Sequence, residues 1–273
     1  MKIELNTHER CMIDFAAQHP EVLVLSADLG SSCEIKKFRA TYPDRYLTMG
    51  IAEQNMCSWA AGLAREGYRP FLHTFSVFLY RRILDQLEMS VAYPNLPVVF
   101  VGFVPGITTP GGVTHQSIND VGVLRTVPNM AIFDIGDATE IEGVLKLAYD
   151  YNGPVFIRML RKEVPRLFPA NEPMQFNRAR VLSEGDDVLI LSSSICTEEA
   201  MRATAALKDR GVSVQHMHVS TLKPFTDPTI VEALKKVKYG VVTIENQYNI
   251  GGLSSAVSEL IAENGINKRL VKI

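Results

Sequence analysis

Unbroken aliphatic runs limit what this chain can fold into. Val22-Leu23-Val24-Leu25, Val98-Val99-Phe100-Val101-Gly102-Phe103 and Val188-Leu189-Ile190-Leu191 carry no alternating polar residue. A strand with one wet face alternates, whereas one covered on both faces reads as continuous β-branched and aliphatic sequence. Stretches of helical period separate such runs, among them Thr7 to Gln18, with Thr7 as N-cap, and Ala138 to Tyr149. This alternation predicts an α/β fold with mostly parallel sheets flanked by helices. The 273 residues suffice for two such domains. Pro165, Pro169, Asn171 and Pro173 mark the link between them. The division is placed at residues 1–168, a linker at 169–179 and a second domain at 180–273.

Within the first domain one carboxylate stands among small and aliphatic neighbours, in Gly50-Ile51-Ala52-Glu53-Gln54-Asn55-Met56. A strand-like segment, Tyr46 to Met49, gives way there to a helix-like one, Gln54 to Arg65. Glu53 is therefore expected to be half buried at a strand-to-helix turn. The ordinary role for an acid in a first helical turn is to interact with the helix dipole. The alternative is a carboxylate held beside a ligand nitrogen for proton work. Position alone favours the first.

The residues that follow favour the second. After Ala60-Ala61-Gly62-Leu63-Ala64 come Thr74-Phe75-Ser76-Val77-Phe78 and Arg81-Arg82-Ile83-Leu84-Asp85-Gln86. This order resembles the pyrimidine-binding domain of the transketolase family of thiamine diphosphate enzymes. The resemblance implies that Glu53 hydrogen-bonds N1′ of the cofactor's aminopyrimidine and that Phe75 and Phe78 lie against its ring. A Phe pair at this spacing is otherwise usually core. The Ser26-Ala27-Asp28-Leu29 segment matches the family's first loop, which puts Asp28 near the thiazolium and Ser32 near substrate. Thr114-His115-Gln116 ends a Pro- and Gly-rich loop running from Val104, and the resemblance gives His115 a part in binding the substrate's polar end or reacting oxygens. Arg161 falls where the family contacts the anionic tail of the substrate; a salt bridge with Glu163 is the plainer alternative. The segments Lys223-Pro224-Phe225, Val242-Thr243-Ile244-Glu245-Asn246 and Gly251-Gly252-Leu253 resemble the family's C-terminal domain, which chiefly supports a dimer.

Three departures bear on substrate. Ungapped counting puts Leu5 where the family carries a phosphate-binding Arg, with His8 or Arg10 as possible substitutes. Phe103-Val104-Pro105-Gly106 and Thr109-Pro110-Gly111-Gly112 replace segments that supply a His and an Asp to the sugar. Buried hydroxyls without partners are costly, so these losses imply an altered donor.

Other absences point to a missing half. The family's diphosphate and Mg²⁺ site contains Gly-Asp-Gly, and none occurs here; Gly136-Asp137-Ala138 and Gly185-Asp186-Asp187 are partial. No metal ligand is assigned to this chain. The resemblance therefore implies the C-terminal subunit of a split transketolase, with the metal site on an N-terminal partner in an α₂β₂ assembly acting on sugars. Alternatives are the β subunit of a 2-oxo acid dehydrogenase-type enzyme and a non-catalytic module of the same fold. A formal charge of −2 offers nothing to nucleic acid or an acidic membrane. Cys11, Cys33, Cys57 and Cys196 form no C-x-x-C pair. With no apolar leader or spanning run, a cytoplasmic location is expected.

Overall fold

A computed structural model describes residues 2–273. The chain begins with β1 (Lys2–Leu5), α1 (Thr7–Gln18), β2 (Val22–Ser26), α2 (Lys36–Thr41), β3 (Tyr46–Thr48), α3 (Glu53–Arg65) and β4 (Arg69–Phe75). It continues through a short α4 (Leu84–Gln86), β5 (Val99–Phe103), α5 (Asp120–Leu124), β6 (Ala131–Asp134), α6 (Ala138–Asp150), β7 (Val155–Met159) and β8 (Glu163–Arg166). The second half comprises β9 (Arg180–Ser183), β10 (Val188–Ser192), α7 (Cys196–Asp209), β11 (Val214–His218), β12 (Thr221–Lys223), α8 (Pro228–Lys236), β13 (Gly240–Ile244), α9 (Leu253–Glu263) and β14 (Arg269–Lys272).

Seven strands form the larger sheet in the order β12-β6-β7-β5-β4-β2-β3. Six of them are parallel, in register Val24–Phe71–Val99–Val155 across its centre. The seventh, β12, comes from the second half of the chain and pairs antiparallel with β6 at the edge. The smaller sheet runs β14-β13-β10-β11-β9, parallel except for β9. The aliphatic runs behave as expected, since β2, β5, β6 and β7 are buried at every residue. Helices cover both faces. The apolar residues of α1 and α6 pack on one side with Phe71, Phe103 and Phe133, and those of α3 pack on the other with Leu25, Leu72 and Phe100.

Some local expectations are corrected. Asn6, in left-handed backbone geometry, precedes α1, and Thr7 lies inside its first turn with an unpartnered buried hydroxyl. Although residues 81–86 include good helix formers, helix begins only at Leu84 and widens into π geometry at Leu87–Ala92. Arg81 and Arg82 instead bind Val113 and Glu53 across the carboxyl edge of the sheet, so tertiary contacts override local helix propensity. Pro165 belongs to β8, opposite Ile3 of β1. A two-stranded ribbon has only edge positions, where proline's missing N–H is tolerated.

Candidate active site

The carboxyl ends of β2, β3, β4, β5 and β7 all open onto one edge of the larger sheet, the place where ligands lie in open α/β sheets. Each contributes one piece of the site. Gly50, at φ 71°, turns the chain after β3 so that Glu53 becomes the first residue of α3. The Glu53 side chain is 4% exposed. The chain after β4 brings Phe75 and Phe78 together, with ring centroids 6.0 Å apart and planes 26° apart. Beyond β5 the loop returns His115 edge-on to both rings, at 6.0 and 5.7 Å. Asp28, in left-handed geometry after β2, completes a pocket of about 300 Å³ with Ala27, Leu29, Ile51 and Thr114.

Five of the residues singled out by sequence thus line one pocket: Asp28, Glu53, Phe75, Phe78 and His115. The other two stand beside it. Arg161 lies 5.3 Å from the Phe75 ring centroid and donates from Nη1 to the main-chain oxygen of Ser32 at 3.0 Å. No ion pair joins Arg161 to Glu163. His8 and Arg10, suggested in place of Leu5, are both engaged within the chain. His8 is fully buried against His73, Nε2 to Nε2 at 3.0 Å, and Arg10 binds Glu142 at 2.9 Å.

Two arginines were missed. Arg82 Nη1 donates to both Glu53 oxygens, at 2.9 and 3.1 Å, and its guanidinium lies 3.9 Å from the Phe78 centroid. The signal was present, an arginine one helical turn past Phe78, but it carried no assigned partner. Arg158 at the end of β7 is fully buried, donating to Asp120 at 3.0 Å, Asp134 at 2.7 Å and the main-chain oxygen of Asn246 at 3.0 Å. Burial opposes its charge, yet the two aspartates more than offset this and hold the guanidinium above its ordinary range. Burial also pushes the Asp134 carboxyl up, against the pull of Arg158. An apolar run such as Pro154 to Ile157 gives no sign that the next side chain is an internal cation.

The pocket's chemistry is that of a slot for a flat heterocycle. Two aromatic faces offer a dry surface, and one buried carboxylate faces the space between them and the helix start. Among the described residues, no group of three or more His, Cys, Asp or Glu is arranged to hold a metal ion. No helix there is long and apolar enough to cross a membrane.

The fold and its carboxyl-edge pocket are those of a two-domain α/β protein of the transketolase type. The transketolase pyrimidine-binding domain model matches residues 6–166, and the transketolase C-terminal domain model matches residues 177–273. The chain therefore belongs to the transketolase family. It is 36% identical over 260 residues to 6-deoxy-6-sulfo-D-fructose transketolase subunit SqwH of a Clostridium species, covering 95% of this chain and 80% of that one. It is 33% identical to 1-deoxy-D-xylulose-5-phosphate synthase of Symbiobacterium thermophilum, but covers only 40% of that protein. A solved structure described as a split gene transketolase, inactive beta4 tetramer, superposes with a TM-score of 0.90 at 34% identity, covering 98% of this chain and 87% of the other.

Proposed function

We propose that this chain is the C-terminal subunit of a two-subunit transketolase that moves a two-carbon ketol unit from a ketose, phosphorylated or otherwise modified, to an aldose phosphate. The observation that carries the reading is the buried Glu53 carboxylate set against the stacked rings of Phe75 and Phe78 at the carboxyl edge of the sheet. Thiamine diphosphate, when bound, supplies a nucleophilic carbon and an electron sink for breaking a bond next to a carbonyl. Glu53 holds a proton on the aminopyrimidine N1′, Phe75 and Phe78 keep water from its faces, and Asp28 stands toward the thiazolium side. Arg82 satisfies both Glu53 oxygens, and its side chain is 45% exposed, so its guanidinium can return to solvent where another donor takes its place beside the buried carboxylate.

Substrate falls to Ser32, His115 and Arg161. Nη1 of Arg161 is engaged with Ser32, which leaves other guanidinium N–H groups for an anionic tail. The Phe103–Gly106 and Thr109–Gly112 segments bring no acid or imidazole, which favours a donor other than an ordinary ketose phosphate.

The diphosphate and its Mg²⁺ are assigned to an N-terminal partner in an α₂β₂ complex, and the domain division at 168 and 180 is part of the same proposal. A relative named as a transketolase subunit supports this. So does Ile51, which lines the pocket yet is 76% exposed, leaving the site open on that side.

The test is to co-express this chain with the product of the neighbouring reading frame. Thiamine diphosphate and Mg²⁺ binding is measured by calorimetry for each chain and for the mixture. Two-carbon transfer is then assayed from phosphorylated, sulfonated and unmodified ketoses. Binding confined to the mixture, with transfer from a donor, is the expected result; no binding in any combination would overturn the proposal. The likeness to 1-deoxy-D-xylulose-5-phosphate synthase favours a second reading, so formation of that product is assayed alongside.

A further inference from the structure

The loop that carries Thr114 and His115 is closed at its base like a drawstring. Gly106 and Ser117 exchange main-chain hydrogen bonds, Gly106 N–H to Ser117 O at 2.8 Å and Ser117 N–H to Gly106 O at 3.2 Å. Of the residues between them, Thr114 and His115 line the pocket. What grips this neck belongs to the other half of the chain. Asn246, just past β13 and 5% exposed, accepts at Oδ1 from the Ile107 N–H (3.1 Å) and donates from Nδ2 to Pro105 O (3.2 Å). The Tyr248 N–H holds the far side of the neck through Ile118 O at 2.6 Å. Asn246 is itself anchored, because its main-chain oxygen accepts from the buried Arg158 at 3.0 Å. The fit leaves no slack: Gly106 has φ 63°, and a Cβ built there would lie 2.1 Å from the Asn246 oxygen.

We propose that Asn246 is a positioning residue for the pocket, acting through the Gly106 neck to hold His115 against Phe75 and Phe78 where it meets substrate. The proposal rests on the active-site reading given above. Two neutral hydrogen bonds to main chain fix the neck, and His115 stands two residues before Ser117, so a shift of the neck passes directly to His115, whereas Phe75 stays with β4. The second half of the chain then sets how substrate is held without touching it.

In the reconstituted complex, Asn246→Ala is expected to raise the donor KM about tenfold while kcat and thiamine diphosphate affinity stay within about twofold. Asn246→Asp keeps the acceptor for the Ile107 N–H and is expected to fall between wild type and alanine. Asn246→Ser, which leaves the Gly106 contact untouched, keeps the question open to experiment if Asn246→Ala folds poorly; the harsher Gly106→Ala, whose Cβ would overlap the Asn246 main chain, attacks the same contact from the loop side. Its KM rise should not add to that of Asn246→Ala in the double variant. Amide hydrogen exchange on the isolated chain gives a readout independent of turnover: the Ile107 and Ser117 amides should exchange about tenfold faster in Asn246→Ala. Faster neck exchange with an unchanged donor KM would make Asn246 a packing residue only and overturn the proposal. Unchanged neck exchange would overturn it too. If the wild-type complex turns over no donor, the functional reading fails, and the exchange result alone decides whether the brace stands.

Discussion

At Glu53 a carboxylate that water barely reaches shares one guanidinium nitrogen between its two oxygens. A structural salt bridge and a cofactor ligand waiting for its cofactor make different demands on this geometry. Arg82 is half in solvent but Glu53 is buried, so removing Arg82 would strand a buried charge, whereas neutralising Glu53 itself strands none. Glu53→Gln should therefore shift the urea midpoint little, leave assembly with the partner intact, and lower turnover of the complex by about 100-fold or more. Retained turnover in this variant would sink the cofactor role. The histidines allow a second residue-scale prediction. Burial holds His73 and His216 down to about 4, and burial with the neighbouring His73 holds His8 lower than its ordinary value. Each stays neutral in the fold but takes up a proton near pH 6.5 once unfolded. The unfolded state thus binds more protons, and the stability these groups contribute is complete above about pH 6.5 and lost as pH falls toward 4. Urea midpoints should drop between pH 7 and pH 5, and the slope should flatten in the His8→Leu, His73→Leu double variant. The motif order grouped Glu53, Phe75 and His115, and the structure brings the three to one pocket. Arg82 and Arg158 were not legible in the sequence, because their meaning depends on acids 29 and 38 residues away.

Among elements, the strands buried on both faces could be read directly, because burial writes itself as uninterrupted aliphatic sequence. β1, β8, β9, β12 and β14 could not. They are three or four residues long, mixed in polarity, and exist because a partner strand offers hydrogen bonds. Helix α8 shows what sequence does reveal about boundaries. Asp227 precedes Pro228 and accepts from the Thr229 N–H at 2.9 Å, an acid N-cap with proline at the first helical position. The same carboxylate accepts from the buried Ala179 N–H at 2.6 Å, pinning the chain that joins the two halves. Asp227→Ala removes a cap and orphans a buried donor, so a loss of about 2–4 kcal/mol is expected by urea denaturation. Asp227→Asn keeps one acceptor oxygen but turns its amide NH₂ toward the other donor, because Oδ1 takes Thr229 and Oδ2 takes Ala179, so it should recover only part of the loss.

For the whole molecule the decisive tie is Arg158, reached by Asp120 and Asp134 from the larger sheet's side and by the Asn246 main chain from the other half. Removing one member of a buried charge cluster leaves the rest uncompensated, so Arg158→Met should cost about 3–5 kcal/mol. The loss should show in calorimetry as an unfolding transition at lower temperature. A single transition at the wild-type temperature would contradict the assigned role. The strand β12 carries a related consequence. It leaves the second half of the chain to cover the open side of β6, whose residues Ala131–Asp134 are all buried. A gene cut at the proline-rich link would yield an N-terminal fragment with a bare, apolar sheet margin, ready to pair with any strand it met. A division within this chain would expose an edge that the intact chain covers, and an engineer seeking a smaller module from its first half would have to supply a substitute for three residues, Thr221–Lys223, before the fragment could remain in solution.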